Sequence, residues 1–134
     1  MMNNSTQERS RVRKINKVVL SIPNLRWHKT DFTVWTLHPY NLCLLSAMIQ
    51  EEYDVAIVDA NIDNLSRNEF VIAIQREKPD VVGISILTNE YGEAGHIAVK
   101  LVKDVNSNIV TVMGGAMPQC LIRRLSKIRM LTML

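Results

Sequence analysis

The side chains whose types and spacing best suit contact with a ligand are Ser85, Thr88, Gly114 and Gly115. Ser85 and Thr88 fall at the end of the run Pro79-Asp80-Val81-Val82-Gly83-Ile84-Ser85-Ile86-Leu87-Thr88. Their hydroxyls donate to and accept from a polar ligand. Gly114 and Gly115 come directly after Ile109-Val110-Thr111-Val112-Met113. Without a Cβ they let the backbone approach a ligand closely and reach positive φ. Taken singly, each pair is explained as well by a tight turn or a helix cap.

Other chemistries are poorly served. Cys43 and Cys120 have no CxxC partner, too few for a zinc site or a thiolate-held cluster, and are expected to be reduced, partly buried thiols. The turn Pro23-Asn24-Leu25 lacks GxGxxG, which argues against a dinucleotide site, and GxxxxGK[ST] occurs nowhere. A phosphoacceptor receiver would want an aspartate at the end of its third strand. Here Asp59 ends the second, which suits a loop contact or a helix cap. The chain offers no catalytic nucleophile, acid–base pair or metal cluster, so no catalytic residues and no metal ligands are expected from it alone.

The elements that must position these residues follow from periodicity. With 134 residues, 47% hydrophobic and 22% charged, the chain is one domain able to bury a core. No apolar run approaches the roughly 18 residues of a membrane span, and the basic start lacks the apolar core of a secretory signal. A cytoplasmic protein with no membrane partner is expected. The net charge of +3 is uneven. Residues 1–16 carry Arg9, Arg11, Arg13 and Lys14 against Glu8, residues 119–134 carry Arg123, Arg124, Lys127 and Arg129, and the body between is net acidic. The leader, 1–16, is expected to be a disordered basic arm, with nucleic-acid binding as its sharper alternative. The body has no basic stripe interleaved with aromatics, so no nucleic-acid partner is expected.

Lys17-Val18-Val19-Leu20-Ser21-Ile22 reads as a strand stopped by Pro23. A long connection, 25–39, holds Trp27, His28, Trp35 and His38; its tryptophans either cover a flat ligand or pin the loop to the body. Leu42, Leu45, Met48 and Ile49 recur at helical spacing, and 55–58 is a second strand. Ser66-Arg67-Asn68-Glu69 has the form of a capping box, opening a helix that buries Phe70, Ala73 and Ile74. The apolar run after Pro79 fits a strand buried on both faces. Ala94, Ile97, Ala98, Leu101 and Val102 form a helical stripe, and 109–113 is a fourth strand. Strands alternating with amphipathic helices mean right-handed crossovers. The expected fold is α/β, a doubly wound parallel sheet in three α/β/α layers with flavodoxin-like order.

On these residues the chain resembles a known family. The block from Pro79 to Thr88, followed about 25 residues on by Val112-Met113-Gly114-Gly115-Ala116, is similar to the cobalamin (B12)-binding domain. The variant it resembles stands at the N-terminus of cobalamin-dependent radical S-adenosylmethionine (SAM) enzymes. Pro39-Tyr40-Asn41-Leu42 and Tyr53-Asp54-Val55-Ala56-Ile57-Val58-Asp59-Ala60 resemble that family's first helix and second strand, and the likeness covers residues 17–118.

The resemblance implies cobalamin as cofactor, its nucleotide tail in a slot beside the sheet. Ser85 would hydrogen-bond the tail, Leu87 would line the slot, Thr88 would be an auxiliary contact, and Gly114 and Gly115 would make room. The corrin would rest near the loop after the first strand. Many such domains carry D-x-H-x-x-G there, whose histidine binds cobalt. Here Leu25-Arg26-Trp27-His28-Lys29-Thr30-Asp31 departs from it, so that role is not carried to His28, nor to His38 or His96. The C-x-x-x-C-x-x-C cluster motif of the radical enzymes is absent, so no iron–sulfur cluster is expected, and a radical SAM catalytic domain would have to be a partner. Residues 119–134 depart from the family and are expected to form a last helix and edge strand, or else a basic amphipathic segment for a membrane or partner. The expected function is a cobalamin-binding module from a truncated relative, not catalytic alone. The alternative is a degenerate flavodoxin-like structural or interaction domain without cofactor.

Overall fold

The computed structural model describes residues 13–28, 38–88 and 91–115. Trp35, Cys120, residues 1–12 and the tail 119–134 lie outside them. The described residues form four strands and three helices: β1 (Lys17–Ile22), α1 (Tyr40–Ile49), β2 (Asp54–Asp59), α2 (Arg67–Glu77), β3 (Val81–Ile86), α3 (Gly92–Val105) and β4 (Val110–Gly115). One turn of 3₁₀ helix, Leu25–Trp27, follows β1. The sheet is parallel, in the order β2-β1-β3-β4. This is the doubly wound arrangement that the alternating pattern requires.

Handedness decides the layers. The crossover from β1 to β2 runs one way along the sheet, and those from β2 to β3 and β3 to β4 run the other way. If every crossover is right-handed, α1 covers one face and α2 with α3 cover the opposite face. Consistent with this, α1 packs on β1 and β2, while α2 and α3 pack on each other.

The core lies mainly between the sheet and the α2/α3 layer. Val82, Ile84 and Ile86 of β3, Met113 of β4, and Phe70 and Ile74 of α2 are all buried. α3 approaches closely because Gly95 has no side chain; a Cβ there would sit 2.2 Å from Ile86 Cδ1 and 3.1 Å from Met113 Cε. Its buried stripe is Gly92, Ala94, Gly95, Ala98, Val99 and Val102, whereas Ile97 and Leu101 are only half-buried. α2 starts where expected: Ser66 Oγ accepts from the Glu69 amide at 3.1 Å, although Glu69 returns no bond among the described residues. It buries Phe70 and Ile74 but only half-buries Ala73.

Several expectations need correction. In α1 only Leu42 of the apolar stripe is buried; Leu45 is 39% and Met48 72% exposed. Cys43 is exposed, not partly buried. β3 ends at Ile86, two residues before Thr88, and β4 runs through Gly114 and Gly115 rather than stopping before them. At the opposite end, Asp80 caps the start of the sheet. Its Oδ2 accepts from the amides of Asn16 (2.8 Å) and Lys17 (3.0 Å), and Arg13 pairs with Oδ1 at 3.4 Å.

Candidate functional site

The β3–β4 ladder settles how the singled-out residues stand to one another. Ser85 is level with Gly114, and Ile86 with Gly115. Because β-strand side chains alternate, the burial of Val82, Ile84 and Ile86 against α2 and α3 turns Gly83 and Ser85 to the other face. Residues level with each other in a ladder share a face, so Val112 and Gly114 join them there. All four are half-buried. The sequence put Ser85 at the end of the third strand and the glycines directly after the fourth; the structure places Ser85 and Gly114 side by side within the strands.

This row is built from small groups. A Cβ on Gly83 would stand 3.1 Å from Leu20 Cδ2, so bare backbone there leaves Leu20 its place. Ser85 adds a short hydroxyl that makes no hydrogen bond among the described residues. Gly83, Ser85 and Gly114 thus form a row of small, half-buried residues on one face of the sheet.

The other three residues behave differently. Gly115 has a φ of +114°, and a Cβ there would fall 2.2 Å from the carbonyl oxygen of Ile86. Its glycine requirement is therefore met within the chain, by the close approach of β4 to β3. Leu87 is half-buried against the core. Thr88 is exposed, and its carbonyl accepts the Tyr91 amide at 3.0 Å, closing the turn into α3.

Beyond the carboxyl ends of β1, β2 and β3 lies a polar network that sequence reasoning missed. Asn24 and Asn61 are 2% and 4% exposed. Asn24 Nδ2 donates to Asn64 Oδ1 and to the Leu65 carbonyl, both at 3.0 Å. Asn61 Oδ1 accepts the Leu25 amide at 3.3 Å, and its Nδ2 donates to Tyr91 Oη at 3.4 Å. Arg26 Nη1 donates to the Asn61 carbonyl at 3.0 Å. Asp59 Oδ1 accepts the amides of Asn61 (3.1 Å) and Ile62 (3.0 Å). Burial pushes the Asp59 carboxyl above its ordinary range, against the two amides, which pull it down. The loop contact inferred for Asp59 is the role it takes. In sequence these residues stand far apart and look like ordinary turn formers, so no pattern joined them.

Trp27 pins its loop: its indole N–H donates to the Leu65 carbonyl at 2.8 Å, and its ring meets Phe70 edge-on at 5.1 Å. His28, His38 and His96 are exposed. No group of three or more metal-ligating side chains occurs among the described residues. A cavity of about 370 Å³ opens between Arg13, Lys78, Asp80 and Asn106, at the amino ends of β3 and β4 and away from Ser85. No helix among the described residues is long and apolar enough to cross a membrane.

A parallel sheet in the order β2-β1-β3-β4 with helices packed against it defines a flavodoxin-like α/β domain. Residues 34–130 match the B12 binding domain model, well over half of the chain, and the protein belongs to that family. It is 32% identical over 102 residues to an uncharacterized methyltransferase of Pyrococcus horikoshii, covering 76% of this chain and 22% of that protein. It is 39% identical over 62 residues to the anaerobic magnesium-protoporphyrin IX monomethyl ester cyclase of Rubrivivax gelatinosus, covering 46% of this chain and 11% of that one. The chain thus spans only a small part of either relative. Among solved structures, the anti-anti-sigma factor PhyR from Bartonella quintana matches with a TM-score of 0.53, over 88% of this chain and 40% of that one. At 16% identity, that likeness concerns the fold alone.

Proposed function

We propose that this chain is a cobalamin-binding module whose groove along Gly83, Ser85 and Gly114 takes the nucleotide tail of the cofactor. The observation that carries the reading is the register of Ser85 against Gly114, on the face turned away from α2 and α3. Ser85 would hydrogen-bond the tail and Gly114 would leave it room. Leu87 and Thr88 would bound the slot at the turn into α3, and Gly115 would hold the strand that carries Gly114. Bound cobalamin would supply methyl-transfer or radical chemistry, carried out with a partner domain. A radical SAM parent enzyme is the form of that partner which the sequence resemblance supports; the methyltransferase and the cyclase, each far longer than the stretch matched, are compatible with it. The module itself binds and presents the cofactor.

Filling the groove tests the reading. In Ser85→Leu/Gly114→Val, two branched side chains occupy the space of a hydroxyl and a hydrogen. The variant should keep its far-ultraviolet circular dichroism and lose at least tenfold in affinity for hydroxocobalamin. A folded double variant that binds like the wild type would remove this groove as the site.

A further inference from the structure

We propose that Asn61 is a positioning residue for the cofactor slot, tying the three carboxyl-edge turns into one body through Leu25 and Tyr91. The proposal rests on the cobalamin reading above. Asn61 sits in the turn after β2. Its Oδ1 holds the Leu25 amide of the turn after β1, at 3.3 Å, and its Nδ2 holds Tyr91 Oη at the start of α3, at 3.4 Å. Its own amide is fixed by Asp59 Oδ1 at 3.1 Å, and its carbonyl by Arg26 Nη1 at 3.0 Å. One side chain therefore reaches the turns beyond β1 and β3, between which ligands of open α/β sheets bind.

The link continues to the groove. The Tyr91 amide donates to the Thr88 carbonyl at 3.0 Å, joining the start of α3 to the residue that stands two after Ile86, the end of β3. Asn61 and Tyr91 are 4% and 5% exposed, so water cannot readily replace a lost partner. Buried polar groups of this kind favour a single arrangement, because a partly satisfied network is costly. A slot whose walls are held before the ligand arrives loses less freedom on binding. The two walls here are residues 23–28 after β1, under the expected corrin position, and Leu87 and Thr88 after β3, beside the tail.

Two conservative variants and one control test this. Tyr91→Phe removes the phenol oxygen that accepts from Asn61, and Asn61→Asp removes the amide donor while keeping the acceptor. Ile74→Val loosens the core beside α2, away from this edge. With hydroxocobalamin titrated well below the melting temperature, both edge variants should bind about tenfold more weakly, and Ile74→Val should bind as the wild type does. Amide exchange in the unliganded protein should quicken together at Leu25 and Tyr91 in Tyr91→Phe. Wild-type affinity in Tyr91→Phe, or equal weakening in Ile74→Val, would overturn the positioning role. If the wild type itself retains no cobalamin, the function reading fails, and exchange alone decides whether Asn61 couples the turns: quickening confined to Tyr91 would refute that too.

Discussion

Gly114 and Gly115 stand side by side in β4 but answer to different neighbours. At 115 the demand comes from the chain: φ is +114°, and a Cβ would lie 2.2 Å from the Ile86 carbonyl oxygen, a backbone atom that cannot swing aside. Gly115→Ala should therefore cost about 1–3 kcal/mol, read as a clear fall in the thermal midpoint. An unchanged midpoint would contradict this geometry. Gly114 is level with Ser85 on the face proposed for the cofactor tail, so on that proposal its substitution should weaken cobalamin binding. The sequence shows two adjacent glycines and cannot separate them, because neither φ nor the neighbouring strand is written in it. Ser85 was legible as a candidate from its place late in an apolar run. That its hydroxyl has no partner among the described residues became visible only with the neighbours in place.

The strands were more legible than the helix faces. β1 is read from the sequence residue for residue, since a β-branched run ends at a proline that can add no amide to the ladder. β4 is longer than the sequence indicates because two glycines, poor strand formers in general, stay paired with Ser85 and Ile86. α1 is apolar on nearly every side, so spacing identified a helix without telling which face meets the sheet. At the amino edge, Asp80 ties the start of β1 to β3. The amides of Lys17 and Asn16, and then Arg13, hold its carboxyl below the usual range. A carboxyl depressed in the folded state contributes stability above its unfolded pKa and loses it as pH falls through the folded value. Asp80→Asn should therefore lower the stability at neutral pH by an amount on the order of 1 kcal/mol, given its partial exposure, and flatten the acid limb of the midpoint-versus-pH curve. An unaltered acid limb would show that the two amides do not depend on the charge.

At the scale of the molecule, the order β2-β1-β3-β4 and the two helical layers follow from alternating elements and right-handed crossovers, and were legible in the pattern alone. The carboxyl-edge network was not, since Asn24, Asn61 and Tyr91 meet only once three separate turns have been brought to one edge. The described residues then place Gly83, Ser85 and Gly114 in one row of small, half-buried positions on the α1 side of the sheet, beside an edge fixed by buried polar bonds. That combination is suited to holding a ligand with a thin polar tail. The measurement that tests this most directly is to mix the purified protein with hydroxocobalamin, remove free cofactor by desalting, and record the visible spectrum of the protein fraction. The account predicts corrin absorbance retained at near-equal stoichiometry. A folded protein that emerges colourless would contradict it.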